Sequence, residues 1–324
     1  MNRSPAFLLL TLSLVLASAQ AQAEEMIFNR INVGAMSFQS PLFSLFKERE
    51  KTTAQLDLGA PAVKSNLASY TISAEFGFTY HGWFVGMGLQ GETLDSPPND
   101  SSHVVGTLDS SGQIVPRRGE LSNGGAYSSF ARLGHLFSMD SDWKILPAIR
   151  VQSFQEDFEY QAFSLTGGSG VLPFRQYNRK HAQMQLSVSL IRSIGDSAIA
   201  DLEIYGTLSS AGTFNTTGSS FDPSGALLFE SFKADTVTES TGIRLGLSVP
   251  MGSMELNSES LSPRLRMELG YEVQTVRLGE PDFLVLGPLQ PAHVSFLRDL
   301  RLSSKSWRGN RAYISIGLEL GVEY

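Results

Sequence analysis

The last segment of the chain restricts its fold more than any other. Alternate residues Ala312, Ile314, Ile316, Leu318, Leu320, Val322 and Tyr324 are apolar, whereas Arg311, Ser315, Gly317, Glu319, Gly321 and Glu323 between them are polar or small. A period of two is the repeat of a β-strand, whose successive side chains point to opposite faces. The pattern recurs upstream. Tyr70, Ile72, Ala74, Phe76, Phe78 and Tyr80 share one face against Thr71, Ser73, Glu75, Gly77 and Thr79. After His81-Gly82 the next strand sets Trp83, Val85, Met87 and Leu89 against Gly86, Gly88, Gln90 and Glu92. A two-residue link between such strands predicts a hairpin.

Further strands are expected at Tyr127 to Phe137, Trp143 to Gln152, His181 to Leu190, Ala198 to Leu208, Thr241 to Val249 and Leu265 to Val273, with a weaker first strand at Ile31 to Phe38. The sum is about ten strands, each near the 9 to 11 residues of a tilted membrane-spanning strand. Short links at His81-Gly82, Met139 to Asp142 and Ile194 to Asp196, and a longer one near Pro250 to Ser262, alternate with long polar segments at 40–66, 93–124, 156–179, 209–237 and 278–310. Transmembrane barrels have this asymmetry, with short periplasmic turns and long external loops. An even strand number puts both termini on the periplasmic side.

The N-terminus carries a second constraint. Arg3, the apolar run Ala6 to Leu16 and the small-x-small triplet Ala21-Gln22-Ala23 predict a secretory signal over residues 1–23, with a mature chain from Glu24. The apolar run is shorter than the roughly 20 residues of a spanning helix. No later segment approaches one, so entry into a membrane must be by strands closed into a barrel. A net charge of −7 argues against nucleic acid as a partner. The absence of cysteine excludes disulfides, thiolate metal sites and a cysteine nucleophile.

The terminal amphipathic strand ending in Tyr324 resembles the bacterial outer-membrane β-barrel superfamily. That resemblance implies an all-β, antiparallel, up-and-down barrel of about ten strands, formed by one domain over residues 24–324 and located in the bacterial outer membrane. It further implies lipids of that membrane as partners, and barrel-assembly machinery and periplasmic chaperones during biogenesis, with Tyr324 as the assembly signal. A twelve-strand alternative uses 158–177 or 282–300 as extra strands and resembles a solitary autotransporter-type barrel. Tyr80, Trp83, Phe137, Trp143 and Tyr324 all fall beside a short turn or the C-terminus, as an interfacial girdle would.

An arginine turned to lipid at the bilayer midplane would cost about 2–4 kcal/mol, and a carboxylate less. The polar face is therefore the lumen, with Glu75, Arg132, Arg150, Arg244, Arg264, Arg266, Glu268 and Glu319 as lumenal candidates, joined by Glu92, Asp201, Glu203 and Glu272. About ten strands leave a narrow interior. Two arrangements fit these residues: a network of paired charges that seals the barrel, or a narrow pore whose arginines favour anions.

The loops offer less. Pro41 to Lys51, with Leu42, Phe43, Leu45 and Phe46, has the composition of a short amphipathic helix, and Phe283 to Leu286 with Val294 to Leu300 of an inward fold, a partner site or a strand extension. Omptin-type proteases are also ten-stranded, but the likeness stops at size and strand number, since the 209–237 segment contains no histidine. Asp140-Ser141-Asp142 has ordinary turn composition, and His103 with Asp95 and Asp100 that of a solvated loop. His181 and Ser187 are six residues apart on one strand, nearly 20 Å and out of hydrogen-bond reach. The expectation is therefore a protein with no catalytic, cofactor or metal residue, structural or interacting through its external loops, with a narrow channel and a loop-borne enzyme site as alternatives.

Overall fold

The computed structural model describes residues 27–41, 67–94, 103–108, 114–139, 142–164, 174–195, 198–221, 227–252, 254–256, 259–261, 263–286 and 306–321. Alternation of side chains makes strands, and strands in hydrocarbon must have partners on both edges. In chain order they are β1 (Ile27–Gln39), β2 (Leu67–Tyr80), β3 (Trp83–Leu94), β4 (His103–Leu108), β5 (Ile114–His135), β6 (Phe137–Ser138), β7 (Trp143–Ser164), β8 (Phe174–Ile194), β9 (Ala198–Phe221), β10 (Leu227–Pro250), β11 (Met254–Leu256), β12 (Glu259–Leu261), β13 (Arg264–Leu286) and β14 (Ser306–Leu320). Ten of them form the wall, in the cyclic order β1-β2-β3-β5-β7-β8-β9-β10-β13-β14, every pair antiparallel. The first and last wall strands close the ring over a continuous register from Asn29↔Leu320 to Gln39↔Asn310. The short strands are appendages: β4 pairs with the outer end of β5, β6 with the start of β7, and β11 with β12 inside the long periplasmic link.

Ten wall strands set aside the twelve-strand alternative. Residues 158–164 and 174–177 are the outer ends of β7 and β8, and 282–286 is the outer end of β13. Strand length departs from expectation. β1, β2, β3 and β14 have 12 to 15 residues, but β5, β7, β8, β9, β10 and β13 have 21 to 24. Much of 114–124, 156–179, 209–237 and 278–286, expected as loop, is therefore paired strand, and Phe283 to Leu286 is a strand extension. The signal segment, residues 42–51, the Val294 to Leu300 run, Asp95, Asp100, Asp140 and Tyr324 lie outside the described residues.

The exterior accounts for the long strands. From Tyr70 to Tyr80 the outward positions of β2 are lipid-compatible, and the same band includes Val33, Met87, Leu89, Leu133, Ile149, Val151, Leu186, Val188, Ile204, Ile243, Leu245, Met267, Leu269, Ile314, Ile316 and Leu318, all exposed. Ten residues along a tilted strand span about 25 Å of membrane normal. Tyr80, Trp83 and Phe137 mark the periplasmic edge of the band, interleaved with His81 and His135 at ring separations of 4.3 to 5.1 Å. Exposed Tyr70, Tyr127 and Tyr271 mark the outer edge, a second girdle that sequence reasoning missed. Beyond it the outward face turns polar, with Asp157, Asn178, Lys180, Glu239 and Arg277, while apolar Phe154, Phe158, Tyr177, Phe214, Ala234, Val276 and Leu278 turn inward and are buried. Apolar-out alternation ends where the membrane ends, and the strands do not.

In β9 a second effect hides the extension. A register shift at Met184/Gln185 leaves Leu208 without a partner on β8, so the inward positions change from odd (Glu203, Tyr205) to even (Phe214, Thr216). A bulge of this kind breaks a period-two reading without ending the strand.

The periplasmic hairpin is built on backbone geometry. His81 and Gly82 both have positive φ, 46° and 80°, as a type I′ turn requires. The Leu136 amide donates to the Gly82 carbonyl at 2.7 Å, tying this turn to the next. A Cβ on Gly82 would stand 3.0 Å from the His135 ring. Gly82→Val is expected to destabilise the barrel by about 1–2 kcal/mol, read as a lower urea midpoint for the heat-modifiable folded band, whereas His81→Asn should leave that midpoint unchanged or raised.

Candidate functional site

The lumen is where the wall gathers its charge. Every sequence-predicted lumenal residue lies on an inward position, and the cross-strand registers set the partners. At the periplasmic end Phe84, Leu146, Ile191 and Ile199 pack into a buried apolar cluster with Leu136 against it. Beside it Arg266 forks onto Asp201 at 2.6 and 3.0 Å and reaches Glu268 at 3.3 Å and Glu319 at 4.0 Å. Arg30, which sequence reasoning missed, bridges Glu319 at 2.8 Å and Glu75 at 3.3 Å. Arg264 opens β13 at the rim, in register with Glu319.

One level outward, Glu203 receives Arg132 at 3.0 Å and Arg244 at 3.4 Å, and Arg132 also donates to Ser189 at 2.8 Å. The Tyr313 hydroxyl donates to Glu268 at 2.7 Å. Arg150 is buried with its guanidinium 3.8 Å above the Phe130 ring. Further out, Tyr205 donates to Glu272 at 2.8 Å and Gln274 to the same carboxylate at 2.6 Å, while Gln185, Thr207, Ser240 and Gln183 form a neutral hydrogen-bonded group. At the level of the outer girdle Arg311 meets Glu92 at 3.1 Å and Arg179 meets Glu156 at 2.6 Å, the latter pair fully buried. Phe154 lies between these arginines, 4.5 Å from Arg311 and 5.3 Å from Arg179.

Both signs occur at each level, so among the described residues no ring of one sign lines the barrel. The spanning part of the lumen holds voids of about 30 and 50 Å³, both touching Glu75, Arg244 and Glu268. Each is of the order of a water or two.

Aromatic rings complete the filling. Tyr313 lies across Gly270 and Tyr205 across Gly242, each directly opposite in register, so that a Cβ on either glycine would fall 2.1 and 2.3 Å from ring atoms. Glycine there lets the ring of the neighbouring strand lie flat on the wall and aim its hydroxyl at a carboxylate. The terminal-strand alternation had no place for Tyr313 because a lumenal aromatic violates the polar-inside rule.

His181 is 3% exposed, packed at 4.8 Å on Phe154, and among the described residues neither ring nitrogen has a hydrogen-bond partner. Ser187 lies six residues along the same strand.

A closed antiparallel wall, an apolar band between two aromatic girdles and a polar, ion-paired interior define a transmembrane β-barrel of the outer-membrane type. No protein-family model matches the chain, and no curated protein matches it. Among solved structures it is similar to the outer-membrane protease OmpT from Escherichia coli, with 9% identity, TM-score 0.44, and coverage of 93% of this chain and 99% of that one. It is similar also to the toluene transporter TodX from P. putida, with 8% identity, TM-score 0.36, and coverage of 94% and 91%. Neisserial surface protein A matches with 8% identity, TM-score 0.32, and coverage of 93% and 100%. The class rests on the chain's own closure, band and girdles.

Glu203→Gln would leave Arg132 and Arg244 sharing no carboxylate, with an expected loss of about 3 kcal/mol, measured as the urea midpoint in lipid vesicles. Gly270→Val should displace Tyr313 from the wall and cost about 1–3 kcal/mol by overpacking, and Tyr313→Ala on that background should recover part of the loss.

Proposed function

We propose that this chain is a sealed barrel that serves the outer membrane as a structural and surface-interaction protein, working through its external face and not through conduction or catalysis. The observation that supports this reading is the lumen, where, among the described residues, carboxylates of the spanning part are held by arginine or tyrosine and lie around voids of about 30 and 50 Å³. A solute path would need those pairs to separate, and breaking a buried pair costs about 3–5 kcal/mol.

The six tall strands supply the working surface. Their outward faces above the outer girdle are polar and cross-linked: Arg277 bridges Glu239 at 3.1 Å with both side chains exposed, and Tyr127, Gln155, Asp157 and Asn178 form a hydrogen-bonded chain across β5, β7 and β8. Such a rigid one-sided wall suits display of loop tips at the cell surface. Outer-membrane lipids around the band, and the assembly machinery that would read Tyr324, are the partners that this reading carries.

The test is single-channel recording of refolded protein in planar bilayers, with heat-modifiable migration as the folding control. The expected result is a folded, silent protein, and steady conductance from the wild type would overturn the reading. In parallel, replacing residues 218–230 by a two-residue turn keeps the Thr217↔Ser231 register of β9 and β10. Cells displaying that variant should lose adherence while the folded band persists.

A further inference from the structure

We propose that the lumen holds one small monovalent inorganic anion, a halide, between Arg150 and Arg244. Arg150 is 4% exposed, and among the described residues its Nε has no hydrogen-bond partner. Among the described residues no carboxylate oxygen comes within the 4.0 Å of an ion pair, Glu203 and Glu75 act on it only from beyond that distance, and its guanidinium lies against the Phe130 ring. A buried charge needs a counter-charge. The carboxylates at its depth are engaged by other groups: Glu203 by Arg132 and Arg244, Glu268 by Arg266 and Tyr313, Glu75 by Arg30.

The void of about 30 Å³ beside Arg150 has room for a species the size of a water or two. Arg150 and Arg244 both line it, and among the described residues the Nε of Arg244 is also without a partner. Thr71, Ser73 and Ser315 line it too, and among the described residues the buried Thr71 hydroxyl has no hydrogen-bond partner. Glu75 and Glu268 line the same void, but Arg30, Arg266 and Tyr313 already draw on their charge. The Phe130 ring also lines the void, with the Arg150 guanidinium 3.8 Å from its centroid. A compact anion suits this site better than a bulky carboxylate, because the free volume is about 30 Å³.

An anion so deep exchanges slowly, so it is introduced during folding. Wild-type protein is refolded into vesicles with sodium bromide, or with sodium gluconate at equal ionic strength, and its urea unfolding rate is measured. Raising bromide from its dissociation constant to about twenty times that value should slow unfolding about tenfold, and gluconate, too large for the void, should not. Arg150→Met retains volume and removes the charge, and its unfolding rate should be independent of bromide. Asn32→Asp, which places a fixed negative charge on the wall of the void, should likewise lose the bromide dependence and guards against a folding failure of the first variant. Crystals grown in bromide should show an anomalous peak in the void. Equal bromide and gluconate curves for the wild type, bromide dependence that survives in both variants, or a void occupied by water alone overturns the proposal.

Discussion

The hydrocarbon of a bilayer offers nothing to an unpaired peptide group, and the rest of this structure depends on that constraint. A sheet in such a medium has no permissible edge, so β1 must find β14. Closure with ten strands makes a narrow cylinder, and narrowness forces the lumenal side chains into contact. The outer face is then available only to apolar groups, and every charge on the spanning strands has to live inside. The ionic lattice is thus a consequence of closure before it is a device of function.

Inside the cylinder, geometry turns a liability into order. Arginine and carboxylate drawn from different strands meet because cross-strand register places them at the same depth, as with Arg30, Glu75 and Glu319 on β1, β2 and β14. Arginine suits this use because its fork satisfies two oxygens at once, as on Asp201. Glycines opposite Tyr205 and Tyr313 spare room for rings whose hydroxyls occupy lone pairs that the arginines leave. The lattice also ties the spanning wall strands together across the lumen, which backbone pairing between neighbours does not do.

Above the outer girdle the solvent changes and the pattern inverts. The same strands that show lipid Val151 and Leu186 show water Asp157 and Asn178, and their inward residues become Phe158 and Tyr177. Six strands cross this boundary without interruption, and four end near it. The external half-wall therefore folds by the rules of a soluble sheet on the foundation of a membrane one.

Much of this was legible in the residues themselves. Period two, the missing spanning helix, the turn His81-Gly82 and the cost of charge in lipid suffice for a barrel, for its strand number and for which face is the lumen, because each is a local property of the chain facing a known solvent. Strand length was not legible, since a polar outward face reads as loop until the position of the membrane edge is known, and the bulge at Leu208 reverses parity in β9. Nor was the second girdle, because Tyr70 and Tyr127 open their expected strands and Tyr271 falls near the end of its own, beside long segments that read as loops and not as a membrane edge. Arg30 was passed over because its strand is weakly patterned, and Tyr313 because an inward aromatic needs a glycine on another strand to receive it. Which arginine meets which carboxylate, and that Arg150 meets none among the described residues, depends on register between strands far apart in the chain. Alternation along one strand determines which way a side chain points; only the closed sheet decides what it finds there.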